Sequence, residues 1–159
     1  MRSRFTLYPK PKEEKRPWYK EGLRFGCTEC GGCCSGSSGY VWLLPEEIEA
    51  IAAALHLPIQ EFTERYLHNV DGSWSLREVQ KSEEDYDCIF LEGKRCSIYG
   101  VRPLQCRTFP WWPQPLADCH SWERAGQSCE GINAPEGRLV SFEEIEEQRK
   151  LAKQVLKPL

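Results

Sequence analysis

Cys27-Thr28-Glu29-Cys30-Gly31-Gly32-Cys33-Cys34 puts four thiols into eight residues, and Cys88, Cys96, Cys106, Cys119 and Cys129 follow downstream. Thiolates are strong, soft metal donors, and two-residue spacings let successive sulfurs turn toward one centre while a Gly-Gly pair supplies the backbone angles of a tight wrap. Three cysteines at CxxCxxC reach three corners of an iron-sulfur cluster, and a remote cysteine closes the fourth. Zinc knuckles usually arrive as two separated CxxC pairs, so the spacing leans toward an iron-sulfur cluster or iron, with zinc as the alternative. The adjacent Cys33 and Cys34 strain this picture, because neighbouring side chains diverge: either one is structural or the pair links two metal sites.

Working outward, the second half supplies further donors. Cys88-Ile89-Phe90-Leu91 and Cys96-Ser97-Ile98-Tyr99 flank Glu92-Gly93-Lys94-Arg95. This reads as a short β-hairpin with a thiol at each outer end, whose antiparallel pairing brings the two sulfurs close together. Cys106 follows across a turn containing Pro103. A site built from both halves ties segments about fifty positions apart, so metal binding contributes to folding as well as to any chemistry.

The motifs CxxCxxCC at Cys27 to Cys34, Cys88 to Leu91, Cys96 to Tyr99 and Arg102-Pro103-Leu104-Gln105-Cys106-Arg107-Thr108-Phe109-Pro110 resemble the YkgJ-type cysteine-cluster family, a zinc- or iron-chelating domain. The resemblance runs over roughly residues 24 to 135 and includes Cys129-Glu130-Gly131-Ile132, with Glu130 where proline is expected. It implies a metal-binding fold and matches eight cysteines as metal ligands: Cys27, Cys30, Cys33, Cys34, Cys88, Cys96, Cys106 and Cys129. Eight thiols make two four-thiolate sites, or one cluster with several buried structural cysteines. Cys119 stands outside the pattern and reads as a free thiol.

Arg102 and Arg107 bracket Cys106. Their guanidinium groups either donate to thiolates or sulfides and offset the charge of the site, or pair with nearby carboxylates. Phe109, Trp111, Trp112 and Trp122 form an apolar wall that serves as shield, as ordinary core, or as both. His56 and His68 read as helix-end cations, and His120 as incidental beside Cys119. No Ser-His-Asp set, phosphate loop or paired-carboxylate signature is present, so no catalytic residue is assigned. The reading is a non-enzymatic metal-binding protein with a structural, sensing, delivery or accessory role; the alternative is an iron-sulfur redox or accessory enzyme component. Thiol-disulfide exchange fits poorly, since the single exposed CxxC at a helix start is missing.

The sequence has 159 residues, enough to bury a core without disulfides. Its N-terminus lacks the apolar run of a signal peptide, and no stretch approaches a membrane span, so we expect a reducing, cytoplasmic setting and no membrane contact. Residues 1 to 24 carry eight Lys and Arg against three Glu in a chain of net charge −3. That short, mixed run reads as a solvated arm and not as a nucleic-acid surface, while an unidentified protein partner is compatible with it.

The expected fold is α+β: a small cysteine-rich domain with two adjacent helices, a short β-hairpin and a C-terminal helix. The expected division is a basic, proline-containing arm over 1–21, a cysteine-cluster domain over 22–135 and a C-terminal helix over 136–159 packed on it. Tyr40 to Leu44 suits a buried strand or extended segment. Pro45 starts a helix with Ile48, Ile51, Ala52 and Leu55 on one face, and Pro58 starts a second with Ile59, Phe62, Tyr66 and Leu67, breaking near Asp71-Gly72. Trp74 to Val79 alternates apolar and polar residues. Ser141-Phe142-Glu143-Glu144 has capping-box spacing before a helix carrying Ile145, Leu151, Ala152 and Val155 and ending before Pro158.

Overall fold

The structure is a computed structural model describing residues 17–156; most of the arm expected over 1–21, and Pro158, lie outside the described residues. Residues 17–21 form a turn anchored by side chains. Trp18 Nε1 donates to the Leu116 carbonyl (2.9 Å), and the Tyr19 hydroxyl donates to Glu146 (2.8 Å) while accepting from Arg149 (2.8 Å). Burial, with Glu146 alongside, pushes the Tyr19 pKa up to about 12.

The elements then run β1 (Leu23–Phe25), a 3-10 turn (Gly32–Cys34), β2 (Ser35–Gly36), α1 (Pro45–Ala54), α2 (Ile59–Tyr66), β3 (Leu67–Val70) and β4 (Ser73–Leu76). After them come β5 (Glu78–Gln80), β6 (Tyr86–Cys88), β7 (Leu91–Glu92), β8 (Arg95–Cys96), a second 3-10 turn (Tyr99–Val101), α3 (Leu104–Arg107), α4 (Cys119–Ser128), β9 (Arg138–Val140) and α5 (Phe142–Ala152). The chain is α+β, as expected. Its sheets are small and antiparallel, in the orders β1-β9, β2-β6-β5, β3-β4 and β7-β8.

Two hydrophobic cores result. The first packs Tyr19, Leu23, Trp111, Leu116, Trp122, Cys129, Ile132, Val140 and Ile145. Trp111 and Trp122 stack at 5.5 Å, and Phe25 meets Trp111 edge-on. The second gathers Leu43, Ile48, Ile51, Ala52, Phe62, Leu67, Leu76, Phe90 and Ile98, with Cys88 and Cys96 packed against it. Helix α1 begins at Pro45 as expected and buries Ile48, Ile51 and Ala52.

Several local expectations are corrected. The second helix ends at Tyr66, and Leu67 and His68 lie in a strand, where Leu67 pairs with Leu76 and His68 with Ser75. Asp71 (φ 50°) and Gly72 (φ 82°) both take left-handed backbone, the requirement of a two-residue hairpin turn, so local turn chemistry overrides the helical spacing. Ile59 is 52% exposed and Leu151 38% exposed, so neither belongs to a core face. Tyr40 to Leu44 is extended but belongs to no named strand, touching β4 through the isolated bridge Trp42 to Ser75, and Tyr40 is exposed. The expected hairpin shrinks to Leu91–Glu92 against Arg95–Cys96; Cys96 pairs with Leu91, while Cys88 pairs with Glu78 in another sheet. The β1-β9 pair and helices α3 and α4 went unread in the sequence.

The C-terminal capping box is present. Ser141 Oγ accepts from the Glu144 N–H (3.2 Å), and Glu144 Oε2 accepts from the Ser141 N–H (3.1 Å). Replacing Ser141 by Ala should cost about 1 kcal/mol in denaturant unfolding. The Ser141 N–H, with Arg138 beside it, holds the Glu144 carboxyl below its ordinary range. A depressed folded-state pKa stabilises above the unfolded value, so this contribution should be present at neutral pH and fade as pH falls through the folded value; a Glu144→Gln variant should show a correspondingly smaller acid loss.

Candidate metal centre

Each cysteine reaches the site by a local device. Gly31 takes φ 75°, and a Cβ there would lie 2.7 Å from the Lys94 carbonyl, which clamps the cysteine loop onto the β7-β8 turn. A Cβ on Gly32 would lie 2.0 Å from the Ser128 carbonyl, so only glycine lets the loop abut the end of α4, next to Cys129. Strand β2 then sets Ser35 opposite Asp87, carrying Cys34 toward Cys88. Cys106 lies on α3, whose first N–H at Leu104 is held by the buried Glu47 carboxylate; Glu47 also accepts from the Leu44 N–H (2.8 Å). Gln105 fastens the same helix to the extended segment, accepting from the Trp42 N–H (2.9 Å) and donating to the Tyr40 carbonyl (2.7 Å).

The result is a cavity of about 100 Å³ whose wall includes Cys27, Cys30, Cys33, Cys34, Cys88, Cys96, Cys106 and Cys129. All eight cysteines picked out in the sequence face it, and Cys119 does not: it is exposed on the first turn of α4. The cavity draws on both cores, taking Phe25, Phe109 and Cys129 from the first and Leu76, Cys88, Cys96 and Ile98 from the second. Cys33 and Cys34 do not diverge as expected, because the tight 3-10 turn leaves their sulfurs 4.0 Å apart on the same cavity. His56, His68 and His120 are not on the wall.

Burial pushes the Cys88 thiol up to about 11 and raises Cys96, Cys106 and Cys129 as well, each further raised by neighbouring thiols. The Cys34 thiol bonded to Cys33 lowers the Cys33 pKa to about 7, with a smaller pull from Arg102, and Cys34 is raised in turn. Among the described residues no three Cys, His, Asp or Glu side chains are drawn together as a finished ligand cage. The donor set nevertheless suits zinc or iron: eight soft donors on a wall otherwise mostly apolar, where a bound cation would favour the thiolate form of the thiols that burial holds neutral.

Both flanking arginines line the cavity. Arg102 lies 3.5 Å over the Tyr99 ring and donates to the Tyr99 carbonyl (3.0 Å), while Arg107 is 3.9 Å from Glu47. Sequence reasoning missed Tyr99, which lines the cavity with Cys27 and whose hydroxyl is raised in pKa chiefly by that neighbouring thiol. Its place three residues after Cys96 was the available signal. Glu47 was missed as well: it stands where a helix-start charge belongs, and nothing local reveals a partner 57 positions away.

A small α+β fold that turns eight thiols onto one cavity defines a cysteine-cluster domain. Residues 26–134 match the family described as "CxxCxxCC: Putative zinc- or iron-chelating domain", and the chain belongs to that family. An uncharacterized protein of Methanocaldococcus jannaschii is 34% identical over 105 residues, covering 64% of this chain and 53% of the relative. The matched part thus spans about half of that relative's length. No solved structure matches the chain significantly.

Gly32→Ala should displace the loop from α4 and sharply reduce bound metal, whereas Gly39→Ala, where an added Cβ meets nothing within 4 Å, should leave it unchanged. Elemental analysis of the two purified variants checks this. Because thiols held high by burial must release protons to bind, zinc affinity should rise with pH between about 6 and 8 and loading should release protons in weak buffer. Competition against a chelator at each pH measures it.

Proposed function

We propose that the chain is a non-enzymatic metal-binding protein whose cavity cysteines hold iron, as an iron-sulfur cluster or as iron itself, or zinc, and whose bound metal fastens its two cores together. The observation that carries this reading is the selection of side chains on the cavity: eight cysteines from five separate stretches of chain face it, while the ninth is turned to solvent. Free cysteines used only as packing need not converge; here Cys129 of the first core and Cys88 and Cys96, packed against the second, all face the same cavity. The metal would supply the positive charge and directional bonds that turn mutually repelling thiols into a crosslink. Arg102 offsets part of the thiolate charge, and Glu47 and Gln105 fix the approach of Cys106.

A second reading, a redox or accessory component, draws on the opening of the cavity. Cys27 is exposed and also borders a groove of about 560 Å³ lined by Phe25, Phe109 and Trp111. Such an opening suits electron exchange or a small reactant beside the centre.

Anaerobic purification with assays for iron, zinc and acid-labile sulfide tests both readings. Iron with matching sulfide and reversible bleaching by reductant favours the redox role; zinc without sulfide favours the crosslink. On chelation, hydrogen exchange should accelerate across residues 27–34 and 86–106 and change less in α5. Equal protection of the cysteine loop with and without metal would remove the crosslink from the account.

A further inference from the structure

We propose that the eight cavity thiols form two four-thiol sets meeting at the Cys33 to Cys34 step, with Cys27, Cys30, Cys33 and Cys129 in one, Cys34, Cys88, Cys96 and Cys106 in the other, and each set holding its own metal centre. This rests on the reading of the cavity as a metal site.

The backbone sorts the thiols. Close packing of Gly32 on the Ser128 carbonyl carries the Cys27 to Cys33 loop to the end of α4, where Cys129 is buried in the first core. Past Cys33 the chain turns the other way. Strand β2 pairs Ser35 with Asp87 and Gly36 with Tyr86, and one more step of that register sets Cys34 beside Cys88. Cys88 and Cys96 pack on the second core, and Cys106 belongs to α3, which Glu47 pins to the start of α1 in that same core. Each core therefore brings its own thiols, and the cysteine loop distributes its four between them.

The surroundings show two ends as well. Of the eight thiols only Cys27 borders the large groove beside Phe109 and Trp111. A different cavity of about 200 Å³, beside Arg77 and Tyr86, is bordered by Cys33, Cys34 and Cys88 and by none of the others. Consecutive residues with sulfurs 4.0 Å apart let one loop serve both sets without sharing a donor.

The test counts metal in the full chain, purified anaerobically and reconstituted with Zn2+. Wild type should hold two equivalents. Cys30→Ser and Cys106→Ser should each hold one, the same-set double C30S/C129S should still hold one, and the cross-set double C30S/C106S should hold none. Cys27→Ser stands in for Cys30→Ser if that variant does not fold. Co2+ in place of Zn2+ should give four-thiolate absorption in wild type that halves in each single variant. One equivalent in wild type, a single substitution that empties the chain, or a same-set double that loses both equivalents would overturn the division while leaving the metal reading intact. A wild-type chain that retains no zinc against a mild chelator would instead reject the metal reading itself.

Discussion

On the proposed reading, cohesion between the two cores depends on what occupies a seam lined with sulfur. Among the described residues each core buries nine, and the strands are no longer than four residues, too short for any one ladder to span both. A cavity of about 100 Å³ walled by eight thiols lies where they face each other. Left neutral, those thiols make only weak contacts; charged without a counterion, they repel. A bound cation reverses that balance, so the cooperativity of the fold and the chemistry of the site are one problem.

Buried polar side chains protect this arrangement from the other direction. Glu47, 9% exposed, satisfies backbone N–H groups on two helices, and Gln105, 5% exposed, spends both ends of its amide on the extended segment. Fully bonded polar groups of this kind specify one arrangement, because any slip leaves a buried carboxylate or amide unpaired. Their targets lie on the frame that delivers Cys106. The second core is thus keyed to the position of a thiol as much as to its own packing.

How much of this was legible follows from how local each signal is. The helix at Pro45 and the capping box at Ser141 were readable because a few consecutive residues decide them. The cysteines could be singled out because their spacing and their resemblance to a family agree, and all eight do line one cavity. What failed was non-local or decided by competition. Asp71-Gly72 turned an apparent helical extension into a hairpin, Cys88 took a strand partner at Glu78 instead of the one its spacing suggested, and β1 found its partner more than a hundred positions away. Glu47 looked like any helix-start carboxylate until α3 was set against it. The near contact of Cys33 and Cys34 required knowing that Gly32–Cys34 is a 3-10 turn.

Strand β1, which leads into the cysteine loop, pairs with β9 near the other end of the chain, and Cys129 lies between the two. On a ribosome that adds about 5–20 residues per second, roughly 5–20 s separate the synthesis of Cys27 from that of Cys129. Until then the first four thiols wait on a nascent chain whose set of distal partners is incomplete, and the strand that closes the first core is made later still. The two-glycine loop must therefore remain unoxidised and uncommitted while it waits, which makes the order of synthesis, and the thiol chemistry of the surroundings in which it happens, part of the conditions for assembling the centre.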